Sequence, residues 1–465
     1  MSKLYLAVDI GASSGRHMLA WLENGKICLE EVWRFENKVA PHNGHLCWDV
    51  EYLFDEILKG LKKCKEIGRV PDYMGIDTWG VDFALLDADG NRIGDTVAYR
   101  DGRTENMDVE LSKDISESEL YARTGIQKQM YNTIYQLKAL LLTQPELLKK
   151  ADRLLMLPDY FHYLLTGVKI NEYTNATTGQ LVNADTGDWD YELMERVGIP
   201  VRLFGELKMP GTIVGSFSSD IIEKVGFNCT VILPATHDTG SAVAAVPAID
   251  DDFLYISSGT WSLIGAERRE PDCSEKSRLC NFTNEGGVEH RYRYLTNIMG
   301  LWMIQSIRRE YDKKYSFGDL AMMAEEAKII SDIDVNDARF LMPDSMIEAV
   351  KSLCAETNQQ VPETPGEVAR VIYLGLAKCY GKAVREVEQI TGRTYSRLHI
   401  VGGGCQDGFL NRLTAESTGM DVYAGPVEAT ALGNLAVQMM ATGVFATLEE
   451  ARDTIARSFE VKMVM

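Results

Sequence analysis

Asp9-Ile10-Gly11-Ala12-Ser13-Ser14-Gly15-Arg16 places a carboxylate, hydroxyls, glycines and a guanidinium directly after an apolar run, Leu4 to Val8. Small residues in such a turn let backbone N–H groups converge on an anion. Ser13 and Ser14 offer hydroxyls, Gly15 offers close approach and Arg16 offers charge. Asp9 closes the strand, so its carboxylate faces whatever the turn holds. A carboxylate beside phosphate calls for a cation, and Mg²⁺ takes one or two carboxylates together with phosphate oxygens and water. The competing reading is an ordinary hairpin turn with Asp9 in an Asx-turn. A second turn tips the balance: Phe253 to Ile256 runs into Ser257-Ser258-Gly259-Thr260-Trp261-Ser262. Each turn is followed by renewed apolar sequence, so each reads as a strand–turn–strand hairpin. The same device built twice, half a chain apart, predicts two related halves that hold one polyphosphate.

Three further constellations could carry chemistry. Ala235-Thr236-His237-Asp238-Thr239-Gly240-Ser241 follows a strand that ends at Leu233-Pro234. Asp238 there suits a general base, worth about 10²–10⁴ in rate when it reaches the attacking hydroxyl. Position alone favours Asp238 as a helix N-cap instead. Gly75-Ile76-Asp77-Thr78-Trp79-Gly80-Val81-Asp82-Phe83 and Tyr99-Arg100-Asp101-Gly102-Arg103-Thr104 combine acids, arginines and a flat ring, as a polyol site would; a surface hairpin with a charged tip is the alternative. Asn297, Leu301 and Gln305 recur every fourth residue. A helix over 297–308 would put them on one face, with Asn297 either addressing a ligand or capping the helix.

Other nucleotide signatures are absent or weak. There is no G-x-x-x-x-G-K-[ST], and Gly402-Gly403-Gly404-Cys405-Gln406-Asp407-Gly408 does not fit G-x-G-x-x-G. Three glycines in a row would let backbone lie flat against a group such as adenosine, although a tight strand-to-helix turn also uses glycine. His17, His42, His45, His162, His290 and His399 show no metal spacing and read as structural.

The elements that must position these residues alternate between strand and helix signals, which predicts an α/β organisation. Tyr73 to Ile76, Thr230 to Leu233 and Leu398 to Val401 read as strands. Asp49 to Lys63 reads as an amphipathic helix with Leu53, Ile57, Leu58 and Leu61 on one stripe. Thr364-Pro365-Gly366-Glu367 opens another helix, with Thr364 as N-cap, Pro365 at N1 and Glu367 closing a capping box. At 465 residues the chain predicts two large domains, and Pro247 to Asp252 is the best boundary. A net charge of −20 argues against a nucleic-acid partner. Nine scattered cysteines, no leader pattern and no long apolar stretch lead us to expect a soluble cytoplasmic protein without a membrane partner. Oligomeric state is not legible.

These motifs, with Tyr173-Thr-Asn-Ala-Thr-Thr178, Asn281-Phe-Thr-Asn-Glu-Gly-Gly287, Val401-Gly-Gly-Gly-Cys-Gln406 and Ala424-Gly-Pro-Val-Glu-Ala429, span nearly the whole chain. Together they resemble the FGGY carbohydrate kinases. The resemblance implies an α/β fold of two ribonuclease-H-like (actin-like ATPase) domains with a cleft between them. It places an N-terminal domain over 1–247 with sugar and phosphate contacts, and a C-terminal domain over 248–465 with nucleotide contacts. It implies ATP-dependent phosphorylation of a small-molecule ketose with Mg²⁺. On that pattern Ala12, Ser13, Ser14, Gly15, Arg16 and Thr260 hold ATP phosphates, while Gln305 and Gly403 face the nucleotide. Gly80, His237, Asp238, Thr239 and Asn297 contact the sugar, Asp238 is the proton acceptor, and Asp9 reaches Mg²⁺ through water. One departure is Ala12, where many members carry Thr; it bears on which sugar is used. Two alternatives stay open: a different ketose, and an actin-like ATPase that has no small-molecule acceptor.

Overall fold

The computed structural model describes residues 3–464. They form two compact units, one running up to Ala245 and taking in Arg268–Tyr294 and Thr430–Ser458, the other of Val246–Glu267, Leu295–Ala429 and the described residues from Phe459 onward. Two segments that follow residue 245 in sequence, Arg268–Tyr294 and Thr430–Ser458, belong to the first unit. The returning residues carry buried polar and apolar side chains whose partners lie in that unit, as described below.

The first unit is built on a six-stranded sheet in the order Ile213–Ser216, Thr230–Ile232, Tyr73–Thr78, Tyr5–Ile10, Ser14–Glu23, Lys26–Glu36. Tyr5–Ile10 and Ser14–Glu23 are the expected antiparallel hairpin, with Asp9 opposite Arg16. Tyr73–Thr78 runs parallel to Tyr5–Ile10 on its other side, with Asp9 opposite Asp77. Every residue of Tyr5–Ile10 is buried, which is why it reads as a continuous apolar run broken only by its aspartate. The helix Val50–Glu66 covers the sheet with Leu53, Ile57 and Leu61 fully buried, and Asp49 caps it by accepting from the Tyr52 N–H at 2.9 Å. Burying each such leucine or isoleucine contributes about 1.5–3 kcal/mol.

The sheet of the second unit repeats the plan. Phe253–Ser258 and Trp261–Arg268 form an antiparallel hairpin, and Arg397–Val401 runs parallel to Phe253–Ser258 on its other side. Asp421–Ala424 extends the sheet in parallel and Lys462–Val464 antiparallel. The predicted capping box is present: Thr364 and Glu367 satisfy each other at the start of the helix Pro365–Thr391. None of the nine cysteines is in a disulfide. Among the described residues no helix is long and apolar enough to cross a membrane.

Candidate active site

Asp77 and Asp9 stand side by side on adjacent parallel strands, and the chemistry of the first unit gathers around them. Asp9 is 7% exposed, and its Oδ2 accepts from both Nε and Nη2 of Arg16, at 3.0 and 2.9 Å. The residue expected on phosphate and the residue expected on the metal therefore pair with each other. The turn between them is tied down by Asn37, whose Nδ2 donates to the Gly11 carbonyl at 2.9 Å and whose N–H donates to the Ser13 carbonyl at 3.0 Å. Ala12 and Ser14 are half-buried and Ser13 is exposed. Gly15 packs under Phe35: a Cβ there would fall 2.2 Å from the ring.

Asp77 is fully buried. Its Oδ2 accepts from Asn434 Nδ2 at 2.6 Å, and its Oδ1 has no hydrogen-bond partner among the described residues. Burial, then the neighbouring Asp9 charge, hold its carboxyl well above the usual carboxylate range. A raised folded-state value means that folding favours the protonated form, so this contribution is full below the unfolded carboxylate range and lost as pH rises through the folded value. Asp77→Asn keeps an oxygen for Asn434 and removes that titration. Its Tm relative to the native chain is expected to climb as pH rises above the ordinary carboxylate range of about 4; thermal melts at increasing pH check it, and a flat or falling difference would refute it.

The Thr230–Ile232 strand leads into the loop that carries Asp238. Thr78 N–H donates to the Thr236 carbonyl at 2.9 Å, which lays this loop beside the end of the Tyr73–Thr78 strand. Glu172, fully buried, fastens it from below. Its carboxylate accepts from Thr236 N and Oγ1 at 3.2 and 2.6 Å, and from Thr174 N, Thr174 Oγ1 and Asn175 N. His237 occupies the N-cap position of the short helix Asp238–Ala244 without a capping bond from its side chain, so Asp238 is the first helical residue and not the N-cap that position alone favoured. Asp238 Oδ1 accepts from Thr239 N at 2.6 Å and Thr239 Oγ1 at 3.2 Å. The side chain keeps 31% exposure. Burial still raises its carboxyl; the Asp9 charge adds to this, while His237 and the Thr239 hydrogen bonds oppose it. The arrangement is that of a desolvated, orientable base.

Gly80 is forced by packing, since a Cβ would sit 2.9 Å from Thr178 Oγ1. Val81 beside it has φ +68°, a strained conformation for a β-branched residue. It is held by Thr178 Oγ1, which accepts its N–H at 3.0 Å, and by Thr133 Oγ1, which donates to its carbonyl at 2.8 Å. The polyol reading of this stretch needs correction. Asp82 is fully buried and accepts from the indoles of Trp48 and Trp79, from Tyr99 N and from Gln136 Nε2. Trp79 and Asp82 are thus spent on each other inside the core, because a buried carboxylate needs several donors.

Sequence reasoning missed Glu285 and Arg293, which the returning segment Arg268–Tyr294 brings to His237. Arg293 Nη2 lies 3.0 Å from His237 Nδ1, and Arg293 Nη1 lies 3.0 Å from Glu285 Oε2. Burial pushes the Glu285 carboxyl up, but the Arg293 charge and His237 outweigh it and hold it below the usual range. Single residues scattered along a chain leave no spacing signal; only the position of Glu285 within the Asn281–Gly287 motif pointed at it.

In the second unit, the turn after Phe253–Ser258 is locked to the helix Trp302–Glu310. Trp302 N–H donates to the Thr260 carbonyl and Leu301 N–H to the Gly259 carbonyl, both at 3.1 Å. Thr260 and Gln305 are half-buried. Asn297 does not share a helix face with Gln305, nor does it cap that helix: it lies in the strand Tyr292–Met299, and Leu301 is the N-cap. The aromatic and β-branched run before Gly300 favours strand, and Gly300 ends it where a Cβ would meet Trp261 backbone at 2.5 Å. Of the three glycines after Val401, Gly402 has φ +85° and Gly404 would drive a Cβ to 2.0 Å from Ser258 Oγ. Gly403 is exposed, and a Cβ there would meet nothing within 4 Å. Packing and backbone conformation thus demand Gly402 and Gly404 but place no demand on Gly403.

Residues 4–245 match the N-terminal domain model of the FGGY family of carbohydrate kinases, and residues 254–442 match its C-terminal domain model. A rhamnulokinase of Halalkalibacterium halodurans is 52% identical, over 98% of this chain and 97% of that protein. One of Bacillus subtilis is 43% identical over 99% and 95%. Among solved structures, a gluconate kinase from Lactobacillus acidophilus superposes with a TM-score of 0.83 at 16% identity, over 99% of this chain and 93% of that one. A ligand-bound xylulose kinase from the same organism gives 0.82 at 15%, with the same coverage. The fold is accordingly the two-domain, ribonuclease-H-like one.

Proposed function

The chain belongs to the FGGY family of carbohydrate kinases, and on that premise we propose that it phosphorylates L-rhamnulose to L-rhamnulose 1-phosphate with ATP, as a step of rhamnose catabolism in the cytoplasm. What carries the reading is likeness over nearly the full chain to proteins named rhamnulokinase. The placement of Asp238 supports the chemistry. Asp238 would take the proton of the sugar O1 hydroxyl as O1 forms its bond to the γ-phosphorus, while the bond to the ADP oxygen breaks. Such transfers proceed through a loose in-line transition state, so positioning and charge stabilisation do most of the work.

Thr239, which orients the Asp238 carboxylate, His237, Gly80 and Asn297 are read as sugar contacts. Ala12, Ser13, Ser14, Gly15, Arg16 and Thr260 are read as phosphate contacts, with Gln305 and Gly403 on the nucleotide. Gly403 supports this because no packing demand explains it. Asp9 is the residue that would hold Mg²⁺. The site fits a cation: the Asp9 charge raises the carboxyls of Asp77 and Asp238, Arg16 pairs with Asp9 from one side, and Asp77 Oδ1 is buried without a hydrogen-bond partner among the described residues. Bound there, the ion would supply charge neutralisation for the phosphates.

A coupled ADP-release assay with L-rhamnulose, L-fuculose, D-xylulose and no sugar tests the reading. Turnover with L-rhamnulose well above the others is the expected result. Equal ADP release without sugar, or a clear preference for another ketose, would overturn it.

A further inference from the structure

We propose that Arg293 is a positioning residue that fixes the neutral His237 ring with its proton on Nε2, so that the loop before Asp238 offers a substrate oxygen an N–H donor. The proposal rests on the reading of His237 as a sugar contact, and it adds the reason why that contact has one polarity.

Arg293 is fully buried, and each arm of its guanidinium is placed. Nε donates to the Gly286 carbonyl at 2.8 Å, Nη1 faces Glu285 Oε2 at 3.0 Å and Nη2 faces His237 Nδ1 at 3.0 Å. A guanidinium has five donors and no acceptor. The contact with Nδ1 is a hydrogen bond only if Nδ1 supplies the lone pair. The competing arrangement would have Nδ1–H donate to Glu285 Oε2, which lies 3.3 Å away. That contact is longer than the 3.0 Å approach of Arg293 Nη2 to the same nitrogen, and Oε2 already stands 3.0 Å from the Arg293 Nη1 cation. Glu285 acts instead by holding Arg293.

With the lone pair on Nδ1, the proton of the neutral ring is on Nε2. Nε2 lies 3.5 Å from Asp238 Oδ1, which is too long for a hydrogen bond, and Oδ1 is already engaged by Thr239. The Nε2–H therefore sits beside the base without being consumed by it. An oxygen of the substrate next to the hydroxyl that Asp238 deprotonates is placed to accept it. Arg293 touches no reacting atom in this scheme; it acts through His237. In metal sites and triads, the partner of one imidazole nitrogen sets what the other can do in the same way.

The first test is a histidine-specific ¹⁵N NMR measurement on the ligand-free full chain, with the His237 signals assigned by their loss in His237→Gln. The expected result is Hδ2 coupling strongly to the protonated ring nitrogen, the pattern of Nε2–H. A proton on Nδ1 would overturn the proposal. The second test compares His237→Gln with His237→Asn. The glutamine amide can place an N–H near the Nε2 position, whereas the asparagine amide is confined near Nδ1. His237→Gln is expected to keep the sugar KM within about threefold, and His237→Asn to raise it by about tenfold or more, as loss of one buried hydrogen bond does. Equal rises in both would overturn the proposal. No change in His237→Asn would overturn the sugar contact itself while leaving the tautomer measurement to stand, so the two failures are distinguishable. Arg293→Met, if folded by its circular dichroism, is expected to give a mixed tautomer pattern and a sugar KM about tenfold higher, with the ATP KM within about twofold. An unaltered tautomer pattern would count against Arg293 as the residue that sets it.

Discussion

Asp238→Asn is expected to lower kcat by about 10²–10⁴-fold while leaving the KM values for sugar and ATP within severalfold. The asparagine carbonyl can still accept the Thr239 N–H, which meets Asp238 Oδ1 at 2.6 Å, so the loop keeps its shape. What is lost is the lone pair that takes the proton of the attacking hydroxyl. The same carboxylate predicts the acid limb of the pH profile. Burial raises the Asp238 carboxyl above the ordinary carboxylate range, and the base works only when deprotonated. Turnover of the native enzyme should therefore fall as pH decreases, with a midpoint higher than that of an exposed aspartate, and Asp238→Asn should lack that limb. Steady-state kinetics of both proteins across pH would decide this. Near-native kcat in the variant would remove Asp238 from the mechanism.

Gly433→Ala is expected to be as damaging, for a mechanical reason. The helix Ala429–Ala441 crosses the Asp238–Ala244 helix at Gly433, where an added Cβ would lie 1.8 Å from the Ser241 carbonyl oxygen and 2.6 Å from its carbon. Both are backbone atoms, so no side-chain rotation relieves the contact. Overpacking of a tight core costs about 1–3 kcal/mol, and a clash between two helix backbones belongs at or above the top of that range. Because Ser241 is three residues from Asp238, the helix that must move carries the base. The expected outcome is a Tm lower by roughly 5 °C or more, together with a fall in kcat larger than the loss of folded protein explains. A variant with native Tm and native kcat would show that the crossing is looser than described.

Much of the site was legible where function and local structure coincide. Both glycine turns revealed their hairpins because strand, turn and returning strand are contiguous, and the Thr364 cap was legible for the same reason. Residues that depend on distant partners were not. Asp77 looked like a ligand group at a strand end; its real setting is opposite Asp9 across a parallel pairing and under Asn434, a relation that no local window contains. Asp82 and Trp79 carried the residue types of a polyol site but turn inward to satisfy one another. The spacing of Asn297, Leu301 and Gln305 at every fourth residue suggested one helix, yet β-branched and aromatic neighbours put Asn297 in a strand and Gly300 separates the two elements. Arg293 had no signal of its own and Glu285 only its place in the Asn281–Gly287 motif, since their partner His237 is far away in sequence.

The first unit is interrupted in sequence, and this constrains how the protein can be made. A ribosome that has released residues 1–245 has produced both sheet hairpin strands, Asp9, Asp77 and the Asp238 loop, but not Arg293, Asn434 or Gly433. Domains tend to fold as the chain emerges. Here the nascent N-terminal portion must wait, with the Asp77 carboxyl lacking its amide donor and the flank of the Asp238 helix uncovered, until nearly the whole chain has been translated.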